Sequence, residues 1–145
     1  MKRIVVFFAL AMLMIACGKL TQKVESTYPN GNPQYVRYYD RSGSCVKEEE
    51  YYENGTLKMS GVLQDGHREG EWKSYFEDGK VQSTGFFKNG LRYGPATVYH
   101  PTGQLFQEGC YDDGRRCGMW KFYDEQGYLL YGVDFGEMPD TVPVQ

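Results

Sequence analysis

Tyr51-Tyr52-Glu53-Asn54-Gly55-Thr56-Leu57 and Tyr75-Phe76-Glu77-Asp78-Gly79-Lys80-Val81 are two copies of one line, set 24 positions apart. The glycines that follow keep the same spacing, since Gly61, Gly66 and Gly70 return as Gly85, Gly90 and Gly94. Carried outward, this register requires glycine at 31, 103 and 127, and Gly31, Gly103 and Gly127 are present. The chain is a repeat array. Its units open at Tyr28-Pro29-Asn30-Gly31, Tyr52-Glu53-Asn54-Gly55, Phe76-Glu77-Asp78-Gly79, His100-Pro101-Thr102-Gly103 and Asp124-Glu125-Gln126-Gly127.

Within a unit, Leu57, Met59, Gly61 and Leu63 alternate with Lys58, Ser60 and Val62, the period of two that marks a strand with two unlike faces. The turns carry Asp65-Gly66, Asn89-Gly90 and Asp113-Gly114, pairs that accept the positive φ angles of tight hairpins. A second strand then brings Trp72 to Tyr75, and one period later each time Ala96 to Tyr99 and Trp120 to Tyr123. The expected fold is all-β: an elongated single-layer antiparallel β-meander of about five 24-residue hairpin repeats over residues 28–137, with about nine strands in sequence order. Glycine inside a strand weakens it, so the registers Gly61, Gly85, Gly109 and Gly70, Gly94, Gly118 call for a reason. They either let the rings of Trp72, Phe87, Tyr111 and Trp120 lie over bare backbone or they mark bulges.

The pattern Gly61-x3-Asp65-Gly66-x3-Gly70-x-Trp72-x2-Tyr75-x3-Gly79 resembles the MORN repeat, most of all its bacterial variant form, over about residues 28–135. The resemblance implies an elongated, twisted single-layer sheet used for binding or scaffolding, and many bacterial members carry a toxin-antitoxin antitoxin label. Unit one departs from the pattern, with Pro33 where other units have Leu or Val, Arg37 in the Gly61 register and Gly43 one place past its register. Unit five stops after one strand. Atypical end units suit the caps of a solenoid, and Pro33 with Pro139 and Pro143 would discourage edge-to-edge pairing.

The 145 residues suffice for one domain, and 18 Gly with 13 Tyr favour many turns in an aromatic sheet. Lys2-Arg3 precede an apolar run from Ile4 to Ile15, shorter than the about 20 residues that span a bilayer, so residues 1–16 read as an export signal. The end of that run, Ile15-Ala16-Cys17, resembles the lipobox of bacterial lipoproteins, which implies lipidation of Cys17 as the mature N-terminus and an envelope location facing the periplasm or the exterior. Residues 17–27 then form the lipidated start and a tether, and 138–145 a tail. Removing Lys2 and Arg3 from the 16 basic residues leaves 14 against 19 acidic ones, a net charge of -5, and no basic cluster. Nucleic acid is excluded as a partner on that ground, and the membrane link is the lipid.

Catalytic chemistry has little to stand on. His67 and His100 lie in turns of different units, no glycine-rich phosphate loop precedes a helix, and no cofactor motif is present. The Asp112-Asp113 turn supplies too few oxygens for calcium, and Lys47-Glu48-Glu49-Glu50 reads as a solvated strand face. Cys110 and Cys117 flank one hairpin turn and are expected to form a disulfide. Cys45 shares the Cys117 register three units away, at roughly 29 Å, so it is expected to be free or to pair between molecules. Zinc is disfavoured because no CxxC spacing occurs.

A single layer cannot bury 16% aromatic residues, so some rings must face outward. Tyr51, Tyr75, Tyr99 and Tyr123 recur as a ladder with a step of about 10 Å, the candidate binding strip. The expected function is a non-enzymatic interaction or scaffolding protein whose partner is another protein or a second copy of itself. The alternatives are a glycan or cell-wall module, because tandem aromatic hairpins also resemble choline-binding repeats, and an antitoxin or immunity protein.

Overall fold

The computed structural model describes residues 20–137, and every regular element in it is a strand. In chain order these are β1 (Thr21–Thr27), β2 (Pro33–Tyr39), β3 (Cys45–Tyr51), β4 (Leu57–Gln64), β5 (His67–Tyr75), β6 (Val81–Lys88), β7 (Leu91–Tyr99), β8 (Leu105–Asp112), β9 (Arg115–Tyr123) and β10 (Leu129–Asp134). They form one open antiparallel sheet in sequence order, each strand bonded only to its chain neighbours. The all-β meander read from the 24-residue register is the fold.

Two kinds of turn alternate. At Asp65-Gly66, Asn89-Gly90 and Asp113-Gly114 both central residues have positive φ, 51° and 78° in the first case, the geometry that matches a two-residue hairpin to strand twist. The wider turns run Tyr28–Asn32, Tyr52–Thr56, Phe76–Lys80, His100–Gln104 and Asp124–Tyr128. Each is closed by a bond from the first N–H to the fifth carbonyl. Unit one uses this wider turn at Asp40–Ser44 as well, and that is why Gly43 falls one place past the glycine register.

The two in-strand glycine registers serve different ends. Gly70, Gly94 and Gly118 have φ of 63°, 75° and 61°, and the pairing of β4 with β5 jumps from Gly61↔Trp72 to Val62↔Glu69 beside Gly70. These are bulges, where an added side chain would strain the backbone. Gly61 and Gly109 instead lie under indole rings.

Three expectations are corrected. Residues 21–27, read as part of the tether, form β1, which pairs with β2 from Thr21↔Tyr39 to Thr27↔Pro33 and brings the count to ten strands. The segment carries no repeat glycine, but the turn at Tyr28–Asn32 is a hairpin turn and needs a strand on both sides. Pro33 therefore opens an inner strand and does not guard an edge; the edges are β1 and β10, and neither contains proline. Finally, Glu49 is not solvated: it is 8% exposed and held by Tyr38, Tyr51 and Lys47. Cys17, the signal segment 1–16 and the tail 138–145 lie outside the described residues.

Candidate interaction surface

One face of the sheet is organised by a row of cross-strand pairs. Trp72 on β5 opposes Gly61 on β4, and Trp120 on β9 lies over Gly109 on β8. A Cβ on Gly61 would come within 2.1 Å of Trp72 Cδ2, and one on Gly109 within 2.3 Å of Trp120 Cδ2. The glycines are the floor on which the rings rest, which removes both indoles from water at 4% and 1% exposure. Burial obliges each indole N–H to find an acceptor. Trp72 Nε1 donates to the Val62 carbonyl and Trp120 Nε1 to the Cys110 carbonyl, both at 3.1 Å.

Above the rings runs a row of arginines that shares the 24-residue period. The Arg68 guanidinium stands 4.2 Å from the Trp72 ring centroid and 5.5 Å from that of Phe87. Arg116 stands 4.4 Å over Trp120 and 5.3 Å over Phe135. Arg92, between them, leans on Phe87 at 5.4 Å and Tyr111 at 5.2 Å. None of the three makes an ion pair with a described residue. A cation held over a ring keeps its charge available to a further, anionic group. This row was open to view in the sequence as Arg68, Arg92 and Arg116, but alignment on glycine and aromatic residues passed over it.

The row is not uniform. In unit one the glycine position is Arg37 and the indole position Glu48, and the two form an ion pair at 3.2 Å in place of a ring on a bare strand. Unit three keeps its glycine, Gly85, but has Ala96 opposite it.

The four tyrosines Tyr51, Tyr75, Tyr99 and Tyr123 sit on the opposite face, by alternation from Trp72 to Tyr75 along β5 and from Trp120 to Tyr123 along β9. All four are half-buried. Tyr51 donates to Glu49, and Tyr123 donates to Glu108 at 2.7 Å. Burial raises the Tyr51 hydroxyl pKa well above the ordinary value, and the Glu49 carboxylate adds to the shift. Burial alone would raise the Glu49 pKa, but Lys47, Tyr38 and Tyr51 outweigh it and hold the carboxyl below its ordinary value. The same face carries a Cys110–Cys117 disulfide with Cα atoms 5.3 Å apart, packed against Tyr93, while Cys45 is free. An apolar groove of about 490 Å³ lies between β5, β6 and β7, lined by Phe86, Phe87, Tyr93 and Pro95.

The histidines do not meet. His100 repeats a structural contact: Tyr28 donates to the Tyr51 carbonyl at 2.9 Å, Tyr52 to that of Tyr75 at 2.8 Å, and His100 Nε2 lies 3.0 Å from that of Tyr123. His67 packs beside the Gly90 turn. Among the described residues no three His, Cys, Asp or Glu side chains converge on a cation position.

Three segments of the sheet match the MORN repeat variant family. They are residues 45–64, 68–89 and 92–113, each running from a second strand through a wide turn into the next first strand. MORN repeats are in general modules of protein or membrane interaction, and the family is typically non-enzymatic. No curated protein matches the chain. The three matched segments contain Arg68 and Arg92, the Trp72–Gly61 contact and the disulfide partner Cys110, while Trp120 and Arg116 continue the pattern beyond the last matched residue.

Proposed function

We propose that this protein is a non-enzymatic interaction platform that binds another protein along the arginine-bearing face of its sheet. The observation that carries the reading is the row Arg68, Arg92 and Arg116, three guanidiniums at one repeat spacing, each held over a ring and none in an ion pair with a described residue. A regular row of positive charge on a rigid support suits a partner that runs along the sheet and presents carboxylates. Lipid on Cys17, proposed from Ile15-Ala16-Cys17, would place this platform on a membrane of the cell envelope. A glycan module is less well supported, because both indoles are covered and offer no flat surface to a sugar ring.

A second reading keeps the strip Tyr51, Tyr75, Tyr99 and Tyr123 as the contact surface; it is favoured by the even recurrence of four rings that retain partial exposure. The two readings separate in one experiment. Residues 18–145 carry all ten strands and serve as bait in envelope extract, beside the triple variant Arg68→Glu, Arg92→Glu, Arg116→Glu and the double variant Tyr75→Ala, Tyr99→Ala. Loss of the captured protein with the arginine variant alone supports the proposal, and loss with the tyrosine variant alone supports the second reading. Capture that survives both, with both variants folded by circular dichroism, excludes both faces.

A further inference from the structure

One glycine of the row carries no ring: Gly85 is buried, but beneath Arg92 and Ala96. Gly61, Gly85 and Gly109 occupy one register, and the first and third are covered by Trp72 and Trp120. A Cβ built on Gly85 meets nothing closer than Arg92 Nη1 at 3.6 Å and Ala96 Cβ at 3.9 Å. The other parts of the ring seat remain. Arg92 stands in the register from which Arg68 and Arg116 cover their indoles, and it is exposed. The carbonyl of Phe86 holds the register of the Val62 and Cys110 carbonyls that accept the two indole N–H groups. Trp72, Phe87, Ser74 and Ser83 wall a small notch on this spot.

We infer that the notch over Gly85 is a binding site for a tryptophan side chain of the partner protein, carried on an acidic segment. The partner's indole displaces the Arg92 guanidinium outward from Gly85, lies flat on the glycine beneath it and donates its N–H to the Phe86 carbonyl, which completes the row that Ala96 interrupts. Arg92 keeps its charge available on the outer side of the ring, so a carboxylate next to the tryptophan meets a guanidinium that has no ion pair with a described residue. Tyrosine or phenylalanine would cover the glycine without reaching the carbonyl. A ring held between the Gly85 backbone and the Arg92 guanidinium is desolvated on both faces, the pattern of an interface anchor. The inference rests on the proposed platform for the nature of its partner, but the seat itself is defined by this chain alone.

The test is an NMR titration of residues 18–145 with the blocked dipeptide N-acetyl-Trp-Asp-amide. The result expected is saturable shifts at the Gly85, Phe87 and Ala96 amides and at Arg92 Nε–H, with a dissociation constant roughly in the millimolar range. N-acetyl-Trp-Lys-amide should bind at least several-fold more weakly, and N-acetyl-Ala-Asp-amide should leave Gly85 unshifted. Gly85→Ala is the decisive variant: its methyl group fits the free protein but occupies the plane of the ring, so the fold persists and binding falls at least tenfold. Ala96→Trp, which fills the seat from within, should also abolish binding. The inference is overturned if the dipeptide leaves Gly85 unshifted at millimolar concentration, or if Gly85→Ala binds as well as the natural chain. Equal binding of the Asp and Lys dipeptides overturns the acidic part. If the dipeptide fails while the triple arginine variant still loses its captured partner, the seat falls and the platform stands; the reverse outcome removes the platform and leaves the seat.

Discussion

Gly61, Gly85 and Gly109 look identical in the sequence, yet a methyl group added at each would meet different surroundings. At Gly61 and Gly109 it would drive into an indole that has no room to move, so Gly61→Ala and Gly109→Ala should each cost about 3 kcal/mol by urea denaturation. Gly85→Ala should be neutral or stabilising by about 0.5 kcal/mol, since the space is free and the unfolded chain loses freedom. Sequence spacing offered ring cover and bulges for both glycine registers; the structure puts the bulges at Gly70, Gly94 and Gly118, where φ is positive, and the ring cover at Gly61 and Gly109 alone. Glu49 was the residue least legible in advance: three consecutive glutamates look alike, and only register across β2 and β3 shows that the middle one meets Tyr38 and Tyr51. Its folded pKa lies below the ordinary 4.5, so it contributes stability that is present above the unfolded value and is lost as pH falls through the depressed one. Glu49→Gln should therefore destabilise by about 1–3 kcal/mol at neutral pH and flatten the loss of stability below pH 4.5, as measured by denaturation across that range.

Elements were legible wherever turn chemistry repeats. Tight two-residue hairpin turns require two positive φ angles in succession, which Asn-Gly and Asp-Gly tolerate and few other residue pairs do, so β4 to β9 could be placed from the turns alone. β1 escaped because a hairpin partner need not repeat its neighbour's glycines; Thr21–Thr27 is defined only by what it pairs with. Amide hydrogen exchange should show protection within residues 21–27 on the side facing β2, where a tether would exchange at unprotected rates. Across the hairpin of β8 and β9 the disulfide closes a loop with a sequence separation of 7, too short to restrict the unfolded chain strongly. Replacing Cys110 and Cys117 together by serine should cost about 2 kcal/mol, read from the denaturant midpoint, and should leave the strand signature in circular dichroism intact.

At the scale of the molecule, each strand is hydrogen-bonded in the sheet only to its chain neighbours, so the sheet is a linear scaffold on which one residue position recurs on one face at each unit. Function was less legible than fold for this reason: a repeat announces its own spacing, while what it binds depends on which registers stay charged or empty. Arg68, Arg92 and Arg116 kept the period and were visible as letters, but their stacking on Trp72, Phe87, Tyr111 and Trp120 appears only once the strand pairing is known, which sets Arg92 opposite Phe87 and Arg116 opposite Tyr111. A binder of this form spreads its contacts. The most direct test is calorimetry of the captured partner with residues 18–145 and the single variants Arg68→Ala, Arg92→Ala and Arg116→Ala, beside Tyr75→Ala and Tyr99→Ala on the other face. The platform predicts that each arginine variant weakens binding by about 1–2 kcal/mol with the sheet still folded, while the tyrosine variants bind unchanged. Binding abolished by one substitution and untouched by the other arginines, at unchanged stability, would contradict it and point to a single discrete site.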